Sequence, residues 1–225
     1  MYLSPSFICM DLFNLKEQFE ELYKSPLIKS IHYDIMDMHF VPRVGSDIHF
    51  LKQLTEKQPL PIDVHLMVDN PIDYIEKLAD AGTYSVTFHP EITKDIHQII
   101  EQIRAHNMKV GLALRPHTKL DTILHLLNEI DMLTIMGCSP GVFGSKPTKD
   151  FMDRVYEAPL MTKKHNTVVY VDTGVTMNTL PILSQRNIHT AVVGNSTLFA
   201  PNTILSEQLK QLEQQFLPKG KLEVC

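Results

Sequence analysis

Short apolar runs alternate with longer amphipathic stretches along the whole chain, with polar turns between them. The runs predict strands over 3–9, 30–36, 62–68, 85–89, 109–114, 132–136, 168–172 and 190–194. Between them, apolar residues recur at helical spacing. Leu12, Leu15, Phe19 and Leu22 mark a helix over 12–23, and similar patterns cover 71–81, 96–106 and 120–128. Asn70-Pro71 and Asn202 read as helix starts, and Gly82 as a helix stop. Eight strands alternating with about eight helices imply parallel βαβ units. In about 200 residues that count suits a (β/α)8 TIM barrel, an α/β architecture, ahead of a doubly wound open sheet. No Ser/Gly-rich linker divides the chain, so residues 1–217 are expected to form one barrel, with 218–225 a frayed tail.

Side chains two apart on a strand share a face. In the second predicted strand, His32, Asp34 and Met36 therefore point one way and Ile31, Tyr33 and Ile35 the other. The third repeats the arrangement, with Asp63, His65 and Met67 opposite Val64, Leu66 and Val68. The apolar sets suit packing against helices and the polar sets suit the barrel mouth. Asp172 ends the apolar run 168–172, and the C-terminal end of a strand is where such barrels keep their active site. Each group also has a bland explanation. The His-x-Asp could be a hydrogen-bonded polar pair, His65 a satisfied core histidine and Asp172 a helix cap. Against these stands the convergence of polar groups from three strands on the inward face, where an unpaired charge is costly. Two His and two Asp together make an N2O2 donor set suited to Zn, Mn, Co or Fe(II). The other histidines are expected to be structural or solvated, with His39 and His89 the best candidates among them to line a site.

The loop 139–145 follows the sixth predicted strand and contains Gly141, Val142, Phe143 and Gly144. Thr173-Gly174 follows the seventh, and Gly194-Asn195-Ser196 the eighth. Backbone N–H groups of such loops hold phosphate in many barrels. The formal charge is −5 and no Lys/Arg-rich run occurs, which argues against a nucleic-acid surface but not against a small phosphorylated ligand. Cys9, Cys138 and Cys225 form no CxxC, so neither a disulfide framework nor a zinc knuckle is implied. The start of the chain lacks a signal-peptide pattern, and no apolar stretch approaches the ~20 residues needed to span a bilayer. A cytoplasmic protein without a membrane partner is expected.

Four segments then fall into a known order. Ser4-Pro5-Ser6, His32-x-Asp34-x-Met36-Asp37-x-His39-Phe40-Val41-Pro42, Asp63-x-His65-Leu66-Met67 and Val171-Asp172 together resemble the ribulose-phosphate 3-epimerase family, from about Ser4 to Phe199. Cys9-Met10-Asp11-Leu12, His89-Pro90-Glu91 and Met108-Lys109-Val110-Gly111-Leu112 look closer to its D-allulose-6-phosphate branch. The resemblance implies a barrel of the ribulose-phosphate-binding type and one divalent metal, zinc foremost, with Mn, Co, Fe(II) or Mg as alternatives. It implies His32, Asp34, His65 and Asp172 as ligands, Asp34 and Asp172 also as the catalytic acid/base pair, and Ser6 as a substrate contact. Met36, Met67 and Met136 would line the chamber. The activity so implied is C3 epimerisation between D-allulose 6-phosphate and D-fructose 6-phosphate. D-ribulose 5-phosphate/D-xylulose 5-phosphate is the alternative, and a non-catalytic sugar-phosphate-binding relative a further one. A homo-oligomer is expected. A decarboxylase or aldolase on a related barrel ranks lower, since His32-x-Asp34-x-x-Asp37 lacks the Lys of an Asp-x-Lys-x-x-Asp run.

Departures from the family pattern cluster in the loops. Met38 and Thr173 stand where Gly is common, Phe143 replaces a small residue, and Asn195 stands where a small residue or hydroxyl is usual. A Cβ is unfavourable where φ is positive or a ligand approaches closely. These changes predict an altered substrate preference ahead of lost activity.

Overall fold

The computed structural model describes residues 1–92, 95–142 and 144–217. Phe143 and the tail 218–225 lie outside the described residues. Among these residues eight strands form: β1 (Tyr2–Pro5), β2 (Ile31–Met36), β3 (Ile62–Met67), β4 (Ser85–Phe88), β5 (Lys109–Leu114), β6 (Met132–Met136), β7 (Val168–Asp172) and β8 (Thr190–Val193). The α-helices described between and after them are α1 (Leu15–Lys24), α2 (Ile48–Lys57), α3 (Ile72–Asp80), α4 (Ile96–Ala105), α5 (Phe151–Thr162), α6 (Leu180–Gln185) and α7 (Leu205–Phe216).

The strands pair in parallel in the order β1-β8-β7-β6-β5-β4-β3-β2. The remaining seam, between β1 and β2, is bridged by the parallel pairings Leu3↔Ile28 and Ser6↔His32. The Leu3 N–H donates to the Leu27 carbonyl at 2.9 Å, and the Ser4 and Ser30 hydroxyls meet at 2.9 Å. The sheet is therefore a nearly closed (β/α)8 barrel rather than an open sheet. Ile31, Tyr33 and Ile35 of β2 and Val64 and Leu66 of β3 join Leu22, Leu51, Ile75, Leu78 and Ile103 of the helices in one continuous apolar layer. Burial of that layer is the main favourable term in folding. No described helix is long and apolar enough to cross a membrane.

Register brings the polar positions together. Across β2 and β3, His32 stands opposite Asp63, Asp34 opposite His65 and Met36 opposite Met67. Both strands thus send their polar alternation to the barrel interior in step.

Several expected elements end differently. The strand expected over 3–9 stops at Pro5. The Ser6 N–H makes a last ladder bond to the Val193 carbonyl, and the Cys9 N–H then turns back to the Ser6 carbonyl, closing a 3-10 turn over Phe7–Cys9. The helix expected over 12–23 opens with a 3-10 turn, Leu12–Asn14, before α1 begins. Residues 120–128 form a 3-10 segment, Leu120–Leu126, not an α-helix. Leu120, Ile123 and Leu126 are its buried residues, a spacing of three that matches the 3-10 repeat. Asn202 starts no helix. It occupies a left-handed turn at φ 62°, which Asn tolerates well, and α7 begins at Leu205. Gly82 ends α3 as expected, at φ 78°.

Candidate active site

His32, Asp34, His65 and Asp172 are all buried, on β2, β3 and β7. His32 Nε2 lies 3.3 Å from Asp34 Oδ1 and 3.9 Å from Asp172 Oδ2. His65 Nδ1 lies 3.4 Å from Asp34 Oδ1 and 3.5 Å from Asp172 Oδ2. Despite this proximity, neither nitrogen has a hydrogen-bond partner among the described residues. Each ring is pinned through its other nitrogen. His32 Nδ1 meets Asp63 Oδ2 at 3.1 Å, and Asp63 Oδ1 accepts from the Ser85 hydroxyl at 2.7 Å. His65 Nε2 meets His89 Nε2 at 2.9 Å. One ligand atom from each of His32, Asp34 and His65 falls within 4.8 Å of the others, and Asp172 adds a fourth donor at the distances above. Two imidazole nitrogens without partners, facing two carboxylates inside a barrel, are a donor set that fits a divalent cation.

The electrostatics of the cluster agree. Burial opposes protonation of His32, but Asp34, Asp63 and Asp172 outweigh it and raise its pKa well above the ordinary value. Burial likewise opposes protonation of His65, which Asp172 and Asp34 raise. Burial works against ionisation of Asp34, yet His32 and His65 hold its carboxyl well below the usual range. Negative charge in this cluster seeks a positive partner, which a cation also provides. His89 behaves differently: burial pushes its pKa down to about 4, so it stays neutral.

Above the cluster opens a cavity of about 500 Å³. Asp34 and Asp172 form part of its wall, with Ser6 beside them; the Ser6 hydroxyl donates to Asp34 Oδ2 at 3.2 Å. Met67 and Met136 line it. Met36 does not; it packs with Val41, Met67 and Phe40 in a small separate apolar cluster. The loop residues Gly141, Val142, Gly144, Thr173, Gly174, Gly194, Asn195 and Ser196 all face the cavity. Phe143, expected beside them, lies outside the described residues. Sequence reasoning passed over Cys9, Lys146, Val175 and Thr176, which also line it. A usable signal existed for Lys146, which directly follows the Gly-containing loop. Of the other candidate histidines, His39 is exposed and absent from the lining, while His89 is fully buried behind His65.

Two of the altered loop positions take the conformation that glycine favours. Met38 has φ 66° and Thr173 φ 61°, whereas Asn195 is not left-handed. The turn at Met38 is organised by Asp37, which follows β2. Its Oδ1 accepts from the backbone N–H groups of His39 and Phe40, and its Oδ2 from that of Asp69. Gly141, also left-handed at φ 72°, rests on Val41, and an added Cβ would come within 2.7 Å of that side chain. The loop after β6 thereby lies against the loop after β2.

The ribulose-phosphate 3 epimerase family model matches residues 2–199. The chain is 31% identical over 217 residues to a cytoplasmic isoform of ribulose-phosphate 3-epimerase from Oryza sativa subsp. japonica, covering 94% of each chain. It is 29% identical over 197 residues to ribulose-phosphate 3-epimerase from Bacillus subtilis, covering 86% of this chain and 90% of that one. Among solved structures, 3-hexulose-6-phosphate synthase from Salmonella typhimurium superposes with a TM-score of 0.70 at 17% identity, over 96% of this chain and 99% of that one. At that identity the likeness speaks for the barrel alone. With a family match across nearly the whole barrel, the chain belongs to the ribulose-phosphate 3-epimerase family and is an isomerase, an epimerase of sugar phosphates.

Proposed function

We propose that the chain inverts C3 of a pentulose phosphate, interconverting D-ribulose 5-phosphate and D-xylulose 5-phosphate, with one divalent cation held by His32, Asp34, His65 and Asp172. The observation that carries this reading is the approach of two carboxylates, from β2 and β7, to the same pair of partnerless imidazole nitrogens. The relatives' names favour the pentulose over the hexulose. Zinc suits the N2O2 set first, with Mn, Co, Fe(II) or Mg as alternatives.

The C3 proton of a 2-ketose is too weakly acidic for a carboxylate acting alone. A divalent cation in this donor set would supply Lewis-acid stabilisation of the negative charge that develops as that proton leaves. Of the carboxylates, one takes the proton from C3 and the other delivers a proton to the opposite face, so one C–H bond breaks and one forms. A single base would return the proton to the face it came from. The Ser6 hydroxyl occupies Asp34 Oδ2 and so orients that carboxylate. Loop N–H groups at Gly141 and Gly174, with the Lys146 ammonium, are the groups that would receive the phosphate. A homo-oligomer completes the reading, and a cytosolic location is in keeping with the name of the rice relative. Light scattering checks the assembly.

The test is solvent-deuterium incorporation at C3, run side by side on D-ribulose 5-phosphate and D-allulose 6-phosphate with metal-analysed protein. Exchange should be faster on the pentulose. Asp34→Asn and Asp172→Asn should each lower turnover on the order of 10²–10⁴-fold while the fold persists by circular dichroism. Undiminished exchange in both variants would end the two-carboxylate mechanism. Faster exchange on the hexulose would reassign the substrate.

A further inference from the structure

We propose that His89, backed by Glu91, is a positioning residue that locks His65 in its Nε2–H tautomer and so presents Nδ1 bare to the cation. The proposal rests on the divalent-cation reading above. His65 and His89 are both fully buried, and their Nε2 atoms face each other at 2.9 Å. Two neutral imidazole nitrogens at that distance share one proton, so one donates and the other accepts. A ligand nitrogen must carry a lone pair. His65 therefore has to keep its proton on Nε2 and donate it to His89, which in turn carries its own proton on Nδ1.

Glu91 favours that direction through its charge, from beyond hydrogen-bonding distance. Its Oε2 lies 3.6 Å from His89 Nδ1, while its Oε1 is held by the Arg115 backbone N–H at 2.9 Å and the Thr118 hydroxyl at 2.5 Å. With the opposite polarity, a bare Nδ1 on His89 would face that carboxylate lone pair to lone pair. The His89 ring is further fixed by Phe40, whose centroid is 4.8 Å away and which carries the Arg115 guanidinium on its face at 4.1 Å. His32 is keyed differently, directly by the Asp63 carboxylate. The two imidazoles thus reach one point through different nitrogens, and only a relay through a second imidazole sets the tautomer of His65.

The experiment uses the full-length protein, ¹⁵N-labelled at histidine and loaded with zinc. Long-range ¹H–¹⁵N spectra should show His65 as Nε2–H and His89 as Nδ1–H. Chelator competition with cobalt and zinc should show His89→Leu weakened about 10- to 100-fold, with a changed Co(II) visible spectrum. His89→Gln should recover most of that loss, since its amide can accept from His65 and donate to Glu91. Glu91→Ala, nearer the surface, should weaken binding and mix the His89 tautomers, and it serves as the test should His89→Leu not fold. Wild-type protein with the His89 proton on Nε2 overturns the relay, as do folded His89→Leu or Glu91→Ala variants with unchanged affinity. Failure of the wild-type protein to bind either metal overturns the cation reading and the relay together.

Discussion

At the end of β7, Thr173 holds a left-handed backbone, φ 61°, which a β-branched residue rarely adopts. Its hydroxyl offsets the strain. Oγ1 accepts from the Gly137 and Cys138 N–H groups at 2.9 and 2.8 Å and donates to the Asp172 carbonyl at 2.5 Å. The side chain thereby ties the end of β7, next to Asp172, to the end of β6. Thr173→Ala keeps the strain and removes the hydroxyl, so it should destabilise the protein by about 1–3 kcal/mol in urea unfolding. Thr173→Gly loses the same bonds but relieves the backbone, and should recover about 1 kcal/mol of that loss. An alanine variant more stable than the glycine variant would contradict this account.

At the scale of the element, the connection from β2 to α2 folds back on the strand that carries Asp34. The Gly45 N–H donates to the Met36 carbonyl at 3.2 Å and the Ser46 N–H to the Asp34 carbonyl at 2.9 Å. A Cβ on Gly45 would lie 2.6 Å from the Met36 nitrogen and 2.7 Å from the Asp34 oxygen, both backbone atoms that cannot swing aside. Two residues on, Asp47 caps α2 by accepting from the Phe50 N–H at 2.7 Å, and its carbonyl accepts from the Tyr33 hydroxyl at 2.7 Å. The expected effect of Gly45→Ala is a loss of about 1–3 kcal/mol of stability. Turnover should fall with it, because the displaced segment shifts Asp34. Wild-type urea midpoint and turnover in this variant would show that the connection yields freely.

On the scale of the whole molecule, two phenols of the barrel wall are withdrawn from water. Tyr33 lies in the apolar layer under the helices and Tyr170 on the face of β7 that also carries Asp172. Burial raises the Tyr33 pKa far above its ordinary value near 10, and burial raises that of Tyr170 to about 12. A folded pKa above the unfolded one favours the native state at lower pH, and that stability fades as pH climbs from the unfolded toward the folded value. The unfolding temperature should therefore drop as pH rises past about 10. In Tyr33→Phe the drop should be shallower, at a cost of about 0.5–1.5 kcal/mol near neutrality for the lost bond to Asp47. Equal slopes for the two proteins in alkaline thermal melts would place the linkage elsewhere.

Local periodicity determined what could be read without coordinates. A strand repeats every two residues wherever it sits, so the alternation in 31–36 and 62–68 announced which side chains share a face. The count of alternating elements announced the barrel, because parallel strands need crossovers of that length. Exact ends were less legible. The first strand stops at Pro5 because of a turn closed by Cys9, and Leu120–Leu126 tightens to a 3-10 segment, both outcomes of hydrogen bonding and packing rather than of composition. Tertiary structure alone decided which nitrogen of each imidazole faces the cluster, since that rests on Asp63 for His32 and on His89 for His65, partners 31 and 24 residues away. It alone turned Met36 toward Val41 and away from the cavity, and it alone packed Gly45 against the backbone of β2. Such choices depend on which distant residues the closed barrel brings within hydrogen-bonding or van der Waals reach, and no local pattern in the chain encodes that proximity.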